Sequence, residues 1–515
     1  MKKALTLFIA AFFLYLHPYA QKAQVNWSEL EKNSAYLLHI FKGHDNELIT
    51  LSINRRTPLL TRYDNNLKQL QAKEPFSEKM DVYTAASFKD NLFIFLNEVD
   101  RDDNFAVLRG ARIDQQTLEA ESMRELARFD HPVKKYHIKI DIKPSDDTSH
   151  ILVFGDAPFN RDENEKFFIN VFDNKMNKLW EKVIDLPYPG KLIDVEDVKI
   201  SNEGEVYILC RQYEKEMFGA DLKNHAPSNT YKIYGCAQNE NTLHEMNLTF
   251  KNCFVHSASL QFNKDGNIFV MGMYQKVPLG WVNGCFMYAI DKNLKNLIAK
   301  KMESFPADGL LAPMIKDGCA NDIANNPGLH PAFKIIGTNK RNDGSIDLLT
   351  EYNLVTYHTS ASINSLHMVS VSDQPQYSAY DILVINFKED GKIVYTRVPK
   401  KQEEYEFGGQ HVSFKWMNLE NNLVLFYNDN RENIATDPTS KAEPMKDYKK
   451  SVFVVAAIDE KGTLQKQMVF SNDELDLSTL IFDCAPLSSN TLGLYASKKP
   501  RIGKTEHEIG VLKLQ

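Results

Sequence analysis

Short apolar runs alternate with polar turn residues along this chain, in a pattern that recurs about eight times from residue 35 onward. Each copy opens with two apolar strands around a tight polar turn. A third strand then runs into an Asp or similar turn residue, and a short fourth strand follows. The first turns fall near Asp45, Asp90, Asp147, Glu203, Asp265, Asp343, Asn421 and Ser489. The clearest copy is Asn263-Lys264-Asp265-Gly266-Asn267 between two apolar runs. Asp-Gly there predicts a two-residue hairpin with both central residues at positive φ. Asp64, Asp114, Asp173, Asp291 and Asp459 begin the second turn of their copies. A carboxylate at such a position can accept the backbone N–H groups of the turn it starts, so these acids read as turn formers and not catalysts.

Four antiparallel strands repeated in this way predict an all-β fold, a β-propeller of seven or eight blades with eight favoured. Blades stacked around an axis bury faces that no single blade could bury alone. The last copy, from Leu480, shows three strands, and a segment before residue 36 is the candidate fourth. Residues 21–515 then form a single domain, with an irregular insertion at about 306–332 and a short helix expected around Met314 to Asn325.

The connections are unequal in length. The a–b and c–d turns are short, whereas b–c and d–a connections are long at Asp156–Lys166, Tyr213–Thr230, Asn353–Ala379, Asn428–Lys450, Pro306–Pro331 and Lys400–His411. In an up-and-down sheet those two kinds of connection leave from the same end. The long loops therefore share one face of the disc, which is the expected binding face. Tyr213, Phe218, Trp281, Tyr357, Tyr377, Tyr405, Phe407 and Tyr448 lie on them and are candidates for contact with a sugar or a partner protein.

The densest polar cluster there comprises Lys400, Lys401 and Gln402, then His411 beyond Gly408-Gly409, then Asn428 and Asp429. Two readings are open. The cluster is either a ligand pocket for an anion or peptide carboxylate, or a set of hydrogen bonds that close the loops. The run from Asp381 to Asn433, with its strand-Asp-Gly-strand, Pro-Lys-Lys-Gln, Ser-aromatic step and Tyr-Asn-Asp, resembles uncharacterised exported β-rich proteins common in Bacteroidetes. That resemblance implies no activity. It implies a Gram-negative periplasmic or outer-membrane-associated setting.

Composition adds location. Lys2 and Lys3 precede an apolar run from Ala4 to Leu16, and Ala20 precedes a plausible cleavage point, so residues 1–20 read as a signal peptide. The run is shorter than the roughly 20 residues a spanning helix needs, and no later stretch is long enough. The expected protein is exported and soluble, periplasmic or extracellular. Loss of the two lysines takes the net charge from −7 to −9, which argues against nucleic acid or an anionic membrane as partner. An envelope protein or a glycan is the partner expected instead. Six cysteines without a CxxC allow bridges in such a compartment. Cys210 and Cys236, on neighbouring strands, are the candidate disulfide, against buried free thiols.

Catalytic signatures are absent from the sequence. There is no Gly-x-Ser-x-Gly, no His-Glu-x-x-His and no sialidase-type Ser-x-Asp-x-Gly repeat. Gly503-Lys504-Thr505 lacks the first glycine of a phosphate loop, since Lys498 stands there. Asp100, Asp102, Asp103 and Asn104 could offer oxygens to calcium but lack the EF-hand spacing. No cofactor and no metal are expected. The function expected is a non-catalytic ligand- or protein-binding module acting through the long-loop face. The alternatives are a propeller hydrolase or lyase acting on polysaccharide, with Glu351 and Asp429 as candidate carboxylates, and a structural subunit of an envelope complex.

Overall fold

In the computed structural model, eight four-stranded antiparallel blades form a ring. The structure describes residues 23–33, 35–100, 105–130, 139–156, 163–213, 228–239, 243–323, 326–363, 369–405, 408–498 and 503–515. The signal-peptide segment and the Asp102–Asn104 run lie outside them.

The innermost (a) strands of the eight blades begin at Tyr36, Val82, Lys139, Ile193, Phe254, Phe333, Lys415 and, for the last blade, Ser478. The last blade is built from both ends of the chain. Its a strand is split into Ser478–Thr479 and Ala485–Ser488, followed by Thr491–Lys498 and Thr505–Leu514. Ala23–Trp27 and Glu31–Asn33 then pair antiparallel with Thr505–Leu514 as the outer strand. The fourth strand expected from before residue 36 is therefore present, and it closes the ring.

One turn design serves both hairpins of many blades. Asp64 Oδ1 accepts the N–H groups of Asn66 and Lys68 at 2.8 and 2.9 Å. Asn263 Oδ1 accepts those of Asp265 and Asn267 at 3.0 and 2.9 Å. Asp173 and Asp459 repeat the same two contacts. The residue three positions on is left-handed: Gly266 at φ +77°, Gly462 at φ +84°, but Leu67 at φ +60°, Met176 at φ +59° and Leu294 at φ +57°. The expected two-residue turn with two positive φ values is thus corrected. A single left-handed residue after a type I turn makes a bulged hairpin, and the Asx side chain stabilises it.

The a strands are stitched to one another around the axis. Five of them carry a register break near their start, at Leu38, Tyr83, Glu196, His256 and Ile336. A bulge re-aims the extra side chain out of the pleat, and here three of the five reach the next blade. Tyr83 Oη donates to Ile140 O, His256 Nε2 donates to Phe333 O at 2.7 Å, and Glu196 accepts Ala258 N at 3.0 Å. Apolar clusters fill the space between blades, as with Phe250, Phe286 and Tyr288.

The insertion differs from its expectation. A helical segment covers Ala307–Leu311 and Ala312–Lys316, and it ends at Asp317 because Gly318 turns left-handed at φ +77°. Asn353–Ala379 is likewise no loop. The second and third strands of the sixth blade, Ile346–Ile363 and Val369–Phe387, run on past the blade as a long hairpin.

The six cysteines are buried free thiols. Cys210 faces Lys232 and Cys236 faces Val206 across the ladder. That register sets the two cysteines four residues apart, about 13 Å along the strand, too far for a bridge. It removes the candidate disulfide.

Candidate functional site

The polar cluster singled out in the sequence does assemble, across the sixth, seventh and eighth blades. Lys400, Lys401 and Gln402 lie on the outer strand Ile393–Glu404 and not in a loop. Lys400 Nζ sits 2.7 Å from Glu351 Oε1, 2.6 Å from Gln402 Oε1 and 3.2 Å from Ala379 O. The ammonium thus donates to Gln402 and Ala379 and is ion-paired with Glu351. Gln402 Nε2 donates to Asn428 O. Asn428 Nδ2 donates to His411 O at 3.0 Å and to Thr479 O at 2.8 Å. Glu404 accepts His411 N at 2.9 Å, and the His411 ring stacks on Tyr448 with centroids 4.1 Å apart.

Lys400, Gln402, Asn428 and Asp429 are fully buried. The donors of Lys400, Gln402 and Asn428 are engaged within the protein. His411 borders a cleft of about 200 Å³ with Tyr448, Lys449, Asp476 and Lys498. Lys401 points elsewhere, with its Nζ over the Tyr380 ring at 4.9 Å. Asp429 Oδ1 accepts Asn430 N and Asn433 Nδ2, both at 2.8 Å, while its Oδ2 has no hydrogen-bond partner among the described residues. Burial pushes its carboxyl up to about 7. Glu351, its suggested catalytic companion, is buried against Lys400. Of the aromatics, Tyr357 and Tyr405 are exposed, Tyr213 is buried, and Phe218 and Phe407 lie outside the described residues.

A larger cavity, of about 630 Å³, runs along the a strands of the third to sixth blades, from Pro331 and Phe333 at the long-loop end to Lys143 and Lys199 near the a–b turns. Lys143, Glu196, Asp197, Lys199, His256, Ser257, Ser259, Lys334 and Thr338 line it, with Arg211 and Gln275 behind. Leu279, Pro331, Ile335 and Ile336 form its apolar rim. Alternation along each strand presents Asp197 and Lys199 on one side.

Its carboxylates are held in place. Glu196 lies 2.7 Å from buried Arg211 Nε and also accepts Ala258 N. Asp197 Oδ1 accepts Lys143 Nζ at 2.9 Å and Val198 N at 2.8 Å. Its Oδ2 accepts Ser259 Oγ at 2.7 Å and Leu260 N at 3.0 Å. Burial opposes ionisation of Asp197, but Lys143, Lys199 and these bonds outweigh it and hold its carboxyl below the ordinary range. Burial moves the His256 imidazole the other way, down to about 4, against the bond to Phe333 O. It is neutral at pH 7, with Nε2–H as its donor.

Sequence reasoning passed over these residues, because they lie on separate strands of four blades with no motif spacing. One signal was available: Glu196, Asp197, His256 and Ser257 are polar residues set near the start of the a strands, where an apolar alternation would otherwise run.

No family model and no curated protein matches the chain. Solved structures of similar fold include virginiamycin B lyase from Staphylococcus aureus, 8% identical over 96% of this chain and 100% of that one, with a TM-score of 0.35. An uncharacterised protein from Listeria monocytogenes is 10% identical over 81% and 92%, TM-score 0.38. A protein of unknown function from Dyadobacter fermentans is 9% identical over 74% and 96%, TM-score 0.31. Likenesses this distant carry no argument about activity, so the chain is placed by its own geometry as an eight-bladed β-propeller.

Proposed function

We propose that this chain is an exported, non-catalytic binding module that takes its ligand or partner at the long-loop mouth of the central channel. One observation carries the reading: a cavity of about 630 Å³, within the usual size of a ligand pocket, framed by rigid strands of four blades. Leu279 and Pro331, from connections between strands, border it, and the inter-blade hydrogen bonds fix its walls. The resemblance of Asp381–Asn433 to exported proteins of Bacteroidetes supports a periplasmic or outer-membrane-associated setting, with an envelope protein or glycan as partner.

The state of the carboxylates favours binding over hydrolysis or lysis of a polysaccharide. Both oxygens of Glu196 and of Asp197 are committed to fixed donors, and a general acid or base needs an oxygen free to exchange a proton with substrate. Glu351 and Asp429 are buried away from the cavity.

The test is affinity capture from the native cell envelope, with Leu279→Asp combined with Lys334→Glu as the mouth variant. Both side chains are exposed, so the fold should tolerate the changes. Capture should fall at least about tenfold with the mouth variant and persist with Tyr357→Ala on the long hairpin. Capture unchanged by the mouth variant sinks the proposal.

A further inference from the structure

The mouth of the channel carries a charge of its own, opposite to that of the chain. Arg211 is matched by Glu196, and Lys143 by Asp197. Lys199 and Lys334 also line the cavity, and neither has an ion-pair or hydrogen-bond partner among the described residues. Lys334 is exposed and Lys199 half-buried. The cavity thus holds four fixed cations against two carboxylates, in a chain whose net charge is negative. A cleft with low-dielectric walls focuses such an excess onto a ligand of the opposite sign.

The rest of the wall speaks to the ligand's body. Leu279, which is 65% exposed, stands at the rim with Pro331, Ile335 and Ile336. An exposed leucine over a pocket is surface that an apolar group can cover. Within the wall, Gln275 is 1% exposed and donates Nε2 to Gly280 O at 2.6 Å, which assigns its Oε1 as an acceptor. That Oε1 and the hydroxyl of Ser257 have no hydrogen-bond partner among the described residues. Buried polar atoms left in that state cost stability. Of the two, the Ser257 hydroxyl is a donor that an anionic group can accept from, whereas Gln275 Oε1 needs a donor.

We infer that the channel mouth takes a soluble organic anion, a carboxylate or phosphate group carried on an apolar body. The anionic group lies in the cavity that Lys199 and Lys334 both line, and the apolar body lies under Leu279, Ile335 and Ile336. This rests on the reading above that the mouth is the binding site, and it narrows that reading to one ligand chemistry. Inorganic phosphate alone would satisfy the lysines and leave the rim bare. An aliphatic alcohol would do the reverse.

Isothermal titration of the whole chain with matched eight-carbon probes tests it: octanoate, octyl phosphate, 1-octanol and octylammonium, with inorganic phosphate as a further arm. Octanoate or octyl phosphate should bind at least about tenfold tighter than octanol, the size of one charge-assisted hydrogen bond. Octylammonium should bind least. Lys199→Met together with Lys334→Met should bring the anions down to the level of octanol, and added salt should weaken the anions but not the alcohol. If the double variant fails to fold, Lys334→Met alone, at an exposed site, must still narrow the gap, and Lys334→Arg must keep it.

Equal binding of octanol and octanoate, tighter binding of octylammonium, or no binding of any eight-carbon probe overturns the inference. So does inorganic phosphate that binds as tightly as octyl phosphate, because the apolar rim would then play no part. The broader reading fails separately, when the Leu279→Asp, Lys334→Glu variant still captures its native partner.

Discussion

Leu67, Met176 and Leu294 hold left-handed backbone conformations that cost a non-glycine residue roughly 1–2 kcal/mol, yet each side chain is buried. Burial of a leucine or methionine is worth about 1.5–3 kcal/mol, so packing wins over strain. The sequence shows the aspartate that opens each of these turns. It does not show that the apolar residue after it plugs the core from a strained turn, because propensity alone would place glycine there. Asp429 poses the opposite problem, a carboxyl whose buried surroundings disfavour charge. Its folded value, about 7, lies above the unfolded value of 3.8. Below about pH 4 both states are protonated and nothing is lost. As the pH rises toward 7 the unfolded state releases its proton first, so stability falls over that window and levels off above it. Asp429→Asn should therefore be neutral near pH 4 and stabilise the fold by about 1–3 kcal/mol at pH 8. Urea unfolding across pH checks this, and an equal effect at both pH values would refute it.

At the scale of elements, the long loops are tied down by buried charge. Arg397, on the outer strand of the sixth blade, bonds Asp381 Oδ2 through Nε at 2.8 Å and reaches Asp317 of the insertion. Its Nη1 donates to Pro438 O at 2.7 Å and Ser440 O at 2.9 Å. One guanidinium thus holds two of the longest connections against their blade. Arg397→Met should cost about 3–5 kcal/mol, because two buried carboxylates lose their counter-charge. Hydrogen exchange should rise first in residues 307–321 and 431–445; loss spread evenly over all blades would contradict the latch. The strand order, the eight first turns and the long-loop face were legible in the sequence, since hairpin signals are local. The sixth blade's extended hairpin was not, because Asn353–Ala379 is rich in Ser, Thr, Gln and Asn and lacks the apolar alternation of a half-buried strand. The channel-mouth residues were missed for a related reason. Their neighbours in space come from other blades, and a stitch such as His256 to Phe333 O leaves no mark at either position alone.

The ring as a whole depends on its last blade. Trp27 lies across from Gly510, where an added Cβ would meet its ring at 2.6 Å, and it packs edge-on to Phe470 of the seventh blade with centroids 5.4 Å apart. Deleting residues 23–33 should lower stability by about 3–5 kcal/mol, from the lost ladder and the uncovered apolar surface. A synthetic peptide of residues 22–33 should restore part of it by adding back as a strand. A deletion with unchanged thermal stability would show that the seam is not what closes the disc. The seam also sets an order of events for a chain that is made from one end. Thr505–Leu514 is the partner of Ala23–Trp27, so Ala23–Trp27 waits for a partner made long after it. Seven blades can pair within themselves as they emerge. The eighth cannot, so the nascent disc stays open like an unclasped bracelet until Thr505–Leu514 has been made.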